Sequence, residues 1–332
     1  MNIYDVSKKA GVSIATISRV LNGNPNVSDK TKQKVLTIMD ELGYTPNVFA
    51  RGLGLNTMHT IGILCSDSSD IFLANAVYYL EQALRKNGYE AFLCCTGYEL
   101  ENKKKYLRLL LSKRVDAVIM VGSHYLESAK QDNDYIMEAA DEMPVMMMNG
   151  YLSHPNIYGT LCDDYQAVFD AVCRLAGHGR KRFLFLYRSD SNSSRNKRRG
   201  FCDGLAHMGL PCPETSVRRC PDDILSVRDL LLSLYEEGCR YDAILTAEDS
   251  LAVAAVKFAG AAGLRVPEEL EIVGYNNSLL CVCTEPELST LDNHVETLSI
   301  TTVAALMRIL QGADVPNKTT ISNDFIVRGT AY

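Results

Sequence analysis

The side chains that could do chemistry in this 332-residue chain are its cysteines, histidines and a cluster of basic residues near position 197. Eleven cysteines occur: Cys65, Cys94, Cys95, Cys162, Cys173, Cys202, Cys212, Cys220, Cys239, Cys281 and Cys283. No two form a C-x-x-C pair, and several lie in apolar runs such as Gly62-Ile63-Leu64-Cys65. That usage fits small core hydrophobes in a reducing compartment. Cys202, His207, Cys212 and Cys220 can be drawn as a zinc set, but their spacing matches no standard finger. The six histidines (His59, His124, His154, His178, His207 and His294) make no pair at metal-ligand spacing. Neither a metal nor any other cofactor is expected. The phosphate loop G-x-x-x-x-G-K-[ST], the nucleophile elbow G-x-S-x-G and H-E-x-x-H are all missing. Gly52-Leu53-Gly54 precedes a predicted strand instead of following one, so it is no dinucleotide fingerprint. No catalytic residue is assigned, and the chain is not expected to be an enzyme.

A different chemistry, hydrogen bonding to nucleic-acid bases, is offered near the amino terminus. Three short helical patterns follow one another there. Val6 and Ala10 stand one turn apart before Gly11. Ser13 caps a second helix with Ile17, Val20 and Leu21 on its apolar face. After the Asn22-Gly23-Asn24-Pro25 turn, Ser28 starts a third helix bearing Val35, Ile38, Met39 and Leu42, which ends at Gly43. This is a helix-turn-helix pattern. The outward face of the second helix is Ile14, Ala15, Ser18, Arg19 and Asn22, short enough to lie in a major groove with Arg19 forking onto guanine. An ordinary helical hairpin with a solvated Arg19 is the alternative. Net charge is −6, divided as +3 on residues 1–59 and −9 on the remainder, so a polyanion would meet only the head.

Beyond residue 60, continuous apolar runs alternate with helical stretches. The runs are 61–65, 91–94, 117–121 and 145–148, then 183–187, 243–246 and 271–275. Such runs indicate parallel strands covered on both faces. Two sets of them predict an α/β fold with two doubly wound lobes and a cleft between, where ligands sit at the carboxyl ends of the strands. Hydrophobic residues are 47% and charged residues 22%, average for a globular protein. With no apolar run long enough to span a bilayer and no signal-peptide layout at Met1-Asn2-Ile3-Tyr4-Asp5, a cytoplasmic, nucleoid-associated protein with no membrane partner is expected.

Tyr4-Asp5-Val6-Ser7-Lys8-Lys9-Ala10-Gly11-Val12-Ser13 and Thr16-Ile17-Ser18-Arg19-Val20-Leu21-Asn22 resemble the amino-terminal signature of the LacI/GalR family of bacterial transcriptional regulators. Val27-Ser28, Thr31, Val35, Glu41-Leu42-Gly43-Tyr44 and Pro46-Asn47 continue the likeness. It implies that Ile14, Ala15 and Arg19 face base edges, while Thr16, Ser18 and Asn22 mainly anchor to phosphates, with Ser13 also among the DNA-binding residues. It also implies a hinge helix over residues 47–54, with Asn47, Ala50 and Arg51 at the DNA and Leu53 wedging into the minor groove. Gly52 and Gly54 depart from the pattern, since better helix formers are usual there; each costs about 1 kcal/mol against alanine.

The body resembles the family's effector domain and, through it, periplasmic sugar-binding proteins. The matching stretches are Tyr106…Lys113-Arg114-Val115-Asp116-Ala117, Gly200-Phe201, Gly263-Leu264-Arg265-Val266-Pro267, Ile272-Val273-Gly274-Tyr275-Asn276-Asn277, Ser289-Thr290-Leu291 and Ile326-Val327-Arg328-Gly329-Thr330. The resemblance implies a head of residues 1–46, a hinge and linker of 47–59, and a body of 60–332. Lobe one would take about 60–158 plus 293–317, and lobe two about 159–292 plus 318–332. The implied ligand residues are Phe72, Lys197 or its neighbour Arg198 in place of the usual arginine, Glu248 beside Asp249, and Asn276 in place of the usual aspartate. Each has a bland alternative: Phe72 as core, Lys197 and Arg198 as a solvated helix start, Glu248 as a helix-terminal acid, Asn276 as a turn residue. The local excess of cations points to a neutral or anionic polar metabolite. The expected partners are double-stranded operator DNA, a small polar effector such as a sugar or sugar derivative, and a second copy of the chain. The implied function is a ligand-responsive regulator, a repressor of sugar or related catabolic genes acting as a homodimer on a pseudo-palindromic operator. The chain stops after the last matching motif, so no tetramerising tail is expected. A free-standing sugar-binding protein is the alternative, against which stand the head and the missing leader.

Overall fold

The computed structural model describes residues 2–21, 26–44 and 57–332. Within the head, helix α1 (Ile3–Ala10) is opened by a reciprocal cap. The Asn2 side chain accepts from the amides of Tyr4 and Asp5, and Asp5 accepts from the Asn2 amide. Gly11 closes it at φ 62°, a left-handed turn that glycine adopts freely. Helix α2 (Ile14–Leu21) starts where Ser13 Oγ accepts from the Thr16 amide, and α3 (Asp29–Glu41) is capped by Ser28. Val6, Ala10, Ile17, Val20, Val35, Ile38 and Met39 close a small core. These are the apolar positions that the helical spacing selects.

Two six-stranded sheets form the body. The first contains β1 (Thr60–Cys65), β2 (Glu90–Cys95), β3 (Ala117–Val121), β4 (Val145–Met148), β5 (Ile157–Cys162) and β11 (Lys318–Ile321), ordered β11-β5-β4-β3-β1-β2 and parallel throughout. The second contains β6 (Phe183–Tyr187), β7 (Val217–Arg219), β8 (Ala243–Thr246), β9 (Glu271–Tyr275), β10 (Ser289–Asp292) and β12 (Asp324–Ile326), ordered β12-β10-β9-β8-β6-β7. Only β12 runs antiparallel to its neighbour. Helices α4 (Ile71–Lys86), α5 (Leu100–Ser112), α6 (Asp134–Glu142) and α11 (Val295–Leu310) serve the first sheet. Helices α7 (Asp164–Gly177), α8 (Asn192–His207), α9 (Ile224–Glu236) and α10 (Asp249–Ala262) serve the second. Each sheet has an apolar cluster on either face, which is why its central strands are apolar at most positions.

The chain passes between lobes after β5, after β10 and after β11. Two of these crossings fall later than the sequence implied. β5 runs to Cys162 and β11 to Ile321 within the first sheet, so the boundaries expected after 158 and 317 each move by about a strand. Both strands are polar or mixed, with Lys318-Thr319-Thr320-Ile321 at the sheet edge, and neither shows the apolar run that marks a central strand.

Candidate effector cleft and DNA-reading helix

The strands of both sheets point their carboxyl ends at one cleft. From lobe one, the loop after β1 brings Asp70 and Phe72, the turn after β3 brings Ser123 and His124, and β4 ends beside Asn149. From lobe two, β6 delivers Arg188 and Ser189, β8 delivers Ala247 and Glu248, and β9 delivers Asn276. Asn293 lies on the crossing after β10. The amino-terminal turns of α7 and α8 add Asp164, Ser194 and Lys197. The space comprises an inner chamber lined by Asp164, Lys197 and Asn293 and an outer one lined by Ile71, Ser250 and Leu280. Asp70, Phe72, Arg188, Glu248 and Asn276 face both chambers, so the ion pair between Arg188 and Glu248, 2.6 Å long, lies where the two adjoin.

Charge in the inner chamber is organised around Lys197. Its ammonium donates to the Ala247 carbonyl at 3.0 Å, lies 4.0 Å from Asp164 Oδ1 and stands over the Tyr275 ring. Burial holds its pKa below the ordinary lysine value, with Asp164 opposing that shift. Asp164 also accepts from the Tyr275 hydroxyl at 2.5 Å, and that hydroxyl accepts from Asn323. Glu248 is pushed up by burial, against the pull of Arg188. His124 is lowered, first by burial and then by the nearby Lys103. Three carboxylates, Asp70, Asp164 and Glu248, therefore face two cations, Arg188 and Lys197.

Asn276 takes a left-handed backbone, φ 103°, and its Oδ1 accepts from Asn293 Nδ2 at 2.8 Å. Two polar atoms on this wall have no partner among the described residues, Asn293 Oδ1 and Ser194 Oγ. Asn293 and Ser194 are each at least nine-tenths buried. Buried oxygens left in this way are costly unless something else supplies a donor.

In the head, Ala15, Ser18 and Arg19 are exposed along one side of α2, with Ile14 and Thr16 half-buried beside them. Ile17 and Val20 turn inward. Ser13 and Thr16 share a hydroxyl hydrogen bond of 2.9 Å at the start of the helix.

Comparison with known proteins gives this arrangement a family. A profile described as the periplasmic binding proteins and sugar binding domain of the LacI family matches residues 58–328, and one for bacterial regulatory proteins of the lacI family matches residues 2–47. The chain belongs to the LacI family. An HTH-type transcriptional regulator of Lachnoclostridium phytofermentans is 65% identical over 330 residues, 99% of each chain. Catabolite control protein A of Priestia megaterium is 30% identical over 329 residues, 98% of this chain and 96% of that one. Among solved structures, a lac repressor dimer bound to operator and the anti-inducer ONPF superposes with a TM-score of 0.88 at 25% identity, covering 99% and 98% of the two chains. Like its LacI-family relatives, the protein is a DNA-binding transcriptional regulator with an effector-binding body.

Of the effector residues carried over from the LacI family, Phe72, Lys197, Glu248 and Asn276 all line the cleft. Arg198 does not. It bonds Asp190 Oδ1 at 2.7 Å and stacks on Tyr187, outside both chambers. One residue along a helix turns a side chain by about 100°, so Lys197 and Arg198 cannot share an outlook. Arg195 and Arg199 are likewise engaged elsewhere, with Ser128 and Asp190 and with Tyr165. The expected local excess of cations is therefore corrected: only Lys197 of that group faces inward, and acids outnumber cations. Asn22, Asn47, Ala50, Arg51 and Leu53 lie outside the described residues. Sequence reasoning missed Asp164, Arg188, Asn149 and Asn293. Arg188 and Asn149 directly follow apolar strands, so the rule that α/β ligands bind at strand carboxyl ends was the available signal.

Proposed function

We propose that this regulator represses catabolic genes and answers to a neutral, hydroxyl-rich small molecule such as a sugar. The charge balance of the cleft carries the reading. Arg188 is paired with Glu248, and Lys197 lies beside Asp164. Asp70 adds a further carboxylate. A phosphate would meet that surplus of acid. Hydroxyls suit it instead, since they donate to Asn293 Oδ1 and exchange hydrogen bonds with Ser194 and Asn276. The residues carried to this role are Phe72, Lys197, Glu248 and Asn276, joined by Arg188 and Asn293.

At the DNA, Ile14, Ala15 and Arg19 read base edges while Ser13, Thr16, Ser18 and Asn22 hold phosphates. Asn47, Ala50, Arg51 and Leu53 belong to a hinge that engages the operator centre. The working units are a head of 1–46, a hinge and linker of 47–59 and a body from 60 onward. Two heads reading a pseudo-palindrome require a homodimer. Exposed apolar residues support one: Ile71 and Tyr78 on α4, and Leu279 and Val282 after β9. Ile71 and Leu280 face the same outer chamber, so apolar surface of the two lobes adjoins there. The protein acts in the cytoplasm and performs no reaction; no helix among its described residues is long and apolar enough to cross a membrane.

Thermal-shift and calorimetric titration of the full chain against free sugars and their phosphate esters tests this, together with gel shifts on the neighbouring promoter. Free sugars should bind and alter operator affinity. Binding confined to the phosphorylated members would overturn the neutral-ligand reading, and absence of operator binding would overturn repression.

A further inference from the structure

The zinc-like set drawn from Cys202, His207, Cys212 and Cys220 does not assemble: among the described residues no three potential ligands lie close enough to share a metal. Two of its members do meet. Cys202, on the last turns of α8, and Cys212, on the segment leading to β7, place their sulfurs 2.8 Å apart, with the Cys212 thiol donating to Cys202 Sγ. Both are free thiols, half-buried against the apolar cluster that includes Phe201 and Leu205. The remaining cysteines that reach solvent fully, Cys95 and Cys283, belong to different lobes.

We infer that Cys202 and Cys212 form a redox-modifiable dithiol that closes to a disulfide when the protein meets a hydroperoxide, stapling α8 to the approach of β7. Closure to the S–S bond length of about 2.0 Å asks for less than an ångström of movement. The chemistry is polarised between the two sulfurs. Burial first, then the bond to Cys202, pushes the Cys212 thiol up to about 12, and the Cys212 thiol donates to Cys202 Sγ, so Cys202 is the sulfur placed to attack once its own proton has passed to solvent. The Cys202 thiolate attacks one peroxide oxygen, the O–O bond breaks, and the departing hydroxide takes up a proton to leave as water. Cys202 is then a sulfenic acid. Cys212 sulfur attacks it, the S–O bond breaks, and the hydroxyl leaves as a second water with the Cys212 proton. Two thiols are oxidised and one peroxide is reduced. In a reducing cytosol such a bond is transient, as disulfides with a sensing role are. The staple bears on the effector site through one rigid helix, since α8 also carries Ser194 and Lys197.

The test exposes the reduced full-length protein to a small excess of hydrogen peroxide, alkylates the remaining thiols with iodoacetamide and maps peptides by mass spectrometry. The linked Cys202–Cys212 peptide should accumulate before any other cysteine changes, and dithiothreitol should reverse it. In Cys212→Ser, Cys202 should react with dimedone as the sulfenic acid; in Cys202→Ser, Cys212 should stay alkylatable. Oxidation should raise the melting temperature of the wild type but not of Cys202→Ser. The inference fails if both thiols stay alkylatable, or if the first disulfide joins other cysteines. A bond that forms but lowers the melting temperature would overturn the staple. The wild-type mapping decides the question even if a variant misfolds.

Discussion

Lys197 Nζ lies 3.4 Å from the centroid of the Tyr275 ring, and the Tyr275 hydroxyl donates to the same aspartate, Asp164, that faces the ammonium. One buried cation is thus held by a π face, a carboxylate and the Ala247 carbonyl. Lys197→Met keeps length and removes charge. Effector binding should weaken by about 1.5–3 kcal/mol, the range for a hydrogen bond to a charged group, with apo operator affinity unchanged. Calorimetry of effector binding, paired with a gel shift, checks both halves; full effector affinity in the variant would remove Lys197 from the site.

Asn293→Ala deletes the unpaired Oδ1 and the donor that holds Asn276. The apo protein should lose little stability, because the unsatisfied oxygen goes with the side chain. Effector affinity should fall by about 0.5–1.5 kcal/mol. Titration of the variant with the ligand bound by wild type measures this, and unchanged affinity would place the ligand elsewhere.

Glu248→Gln predicts a pH signature. Burial raises the folded-state pKa of Glu248 above its ordinary 4.5, so between 4.5 and that raised value the folded protein holds more protons than the unfolded one. This group therefore adds stability as pH falls through the window and subtracts it above. The glutamine variant should melt higher than wild type at neutral pH without effector, and the gap should narrow on acidification toward 4.5. Melting curves across that range test the sign; a gap that widens toward acid would refute it.

A methyl group at position 200 has nowhere to go. The Cβ of Gly200→Ala would run into the Tyr165 carbonyl oxygen, where α8 packs directly on the backbone of α7. Overpacking of this kind costs about 1–3 kcal/mol. Denaturant unfolding should show that loss, and effector binding should weaken as well, because Lys197 sits on the same helix one turn earlier.

Arg19→Ala should cost about 1–3 kcal/mol per half-site if Arg19 makes one bidentate base contact, leaving weak, salt-sensitive binding in place. Competition between operator and random DNA reads the difference. Retained discrimination would take Arg19 off the bases.

Much of this protein is local. The head is spelled out by capping residues and helical spacing within some forty positions: Asn2, Ser13 and Ser28 stand at helix starts, and Ile17 and Val20 point inward because 3.6-residue periodicity leaves them no other side. The central strands β3, β4, β6, β8 and β9 announce themselves as mainly apolar runs, since burial on both faces disfavours polar positions that lack a partner. What sequence alone determined, then, was two parallel-sheet lobes behind a DNA-reading helix, and four cleft residues carried by resemblance: Phe72, Lys197, Glu248 and Asn276. The edge strand β11 and its neighbour β5, with mixed burial, carry no such pattern, and the lobe boundaries were misplaced around them. Only the tertiary structure decided which of the basic residues 195–199 enters the cleft, because a helical side chain's outlook depends on where α8 lies against β6 and β8. It also paired Arg188 with Glu248 across 60 residues of chain and brought Asp164 to Tyr275 across 111. Those meetings turned an apparent surplus of cations into a surplus of acid. Charge in a cleft is a sum over distant strand ends, and no stretch of sequence contains that sum.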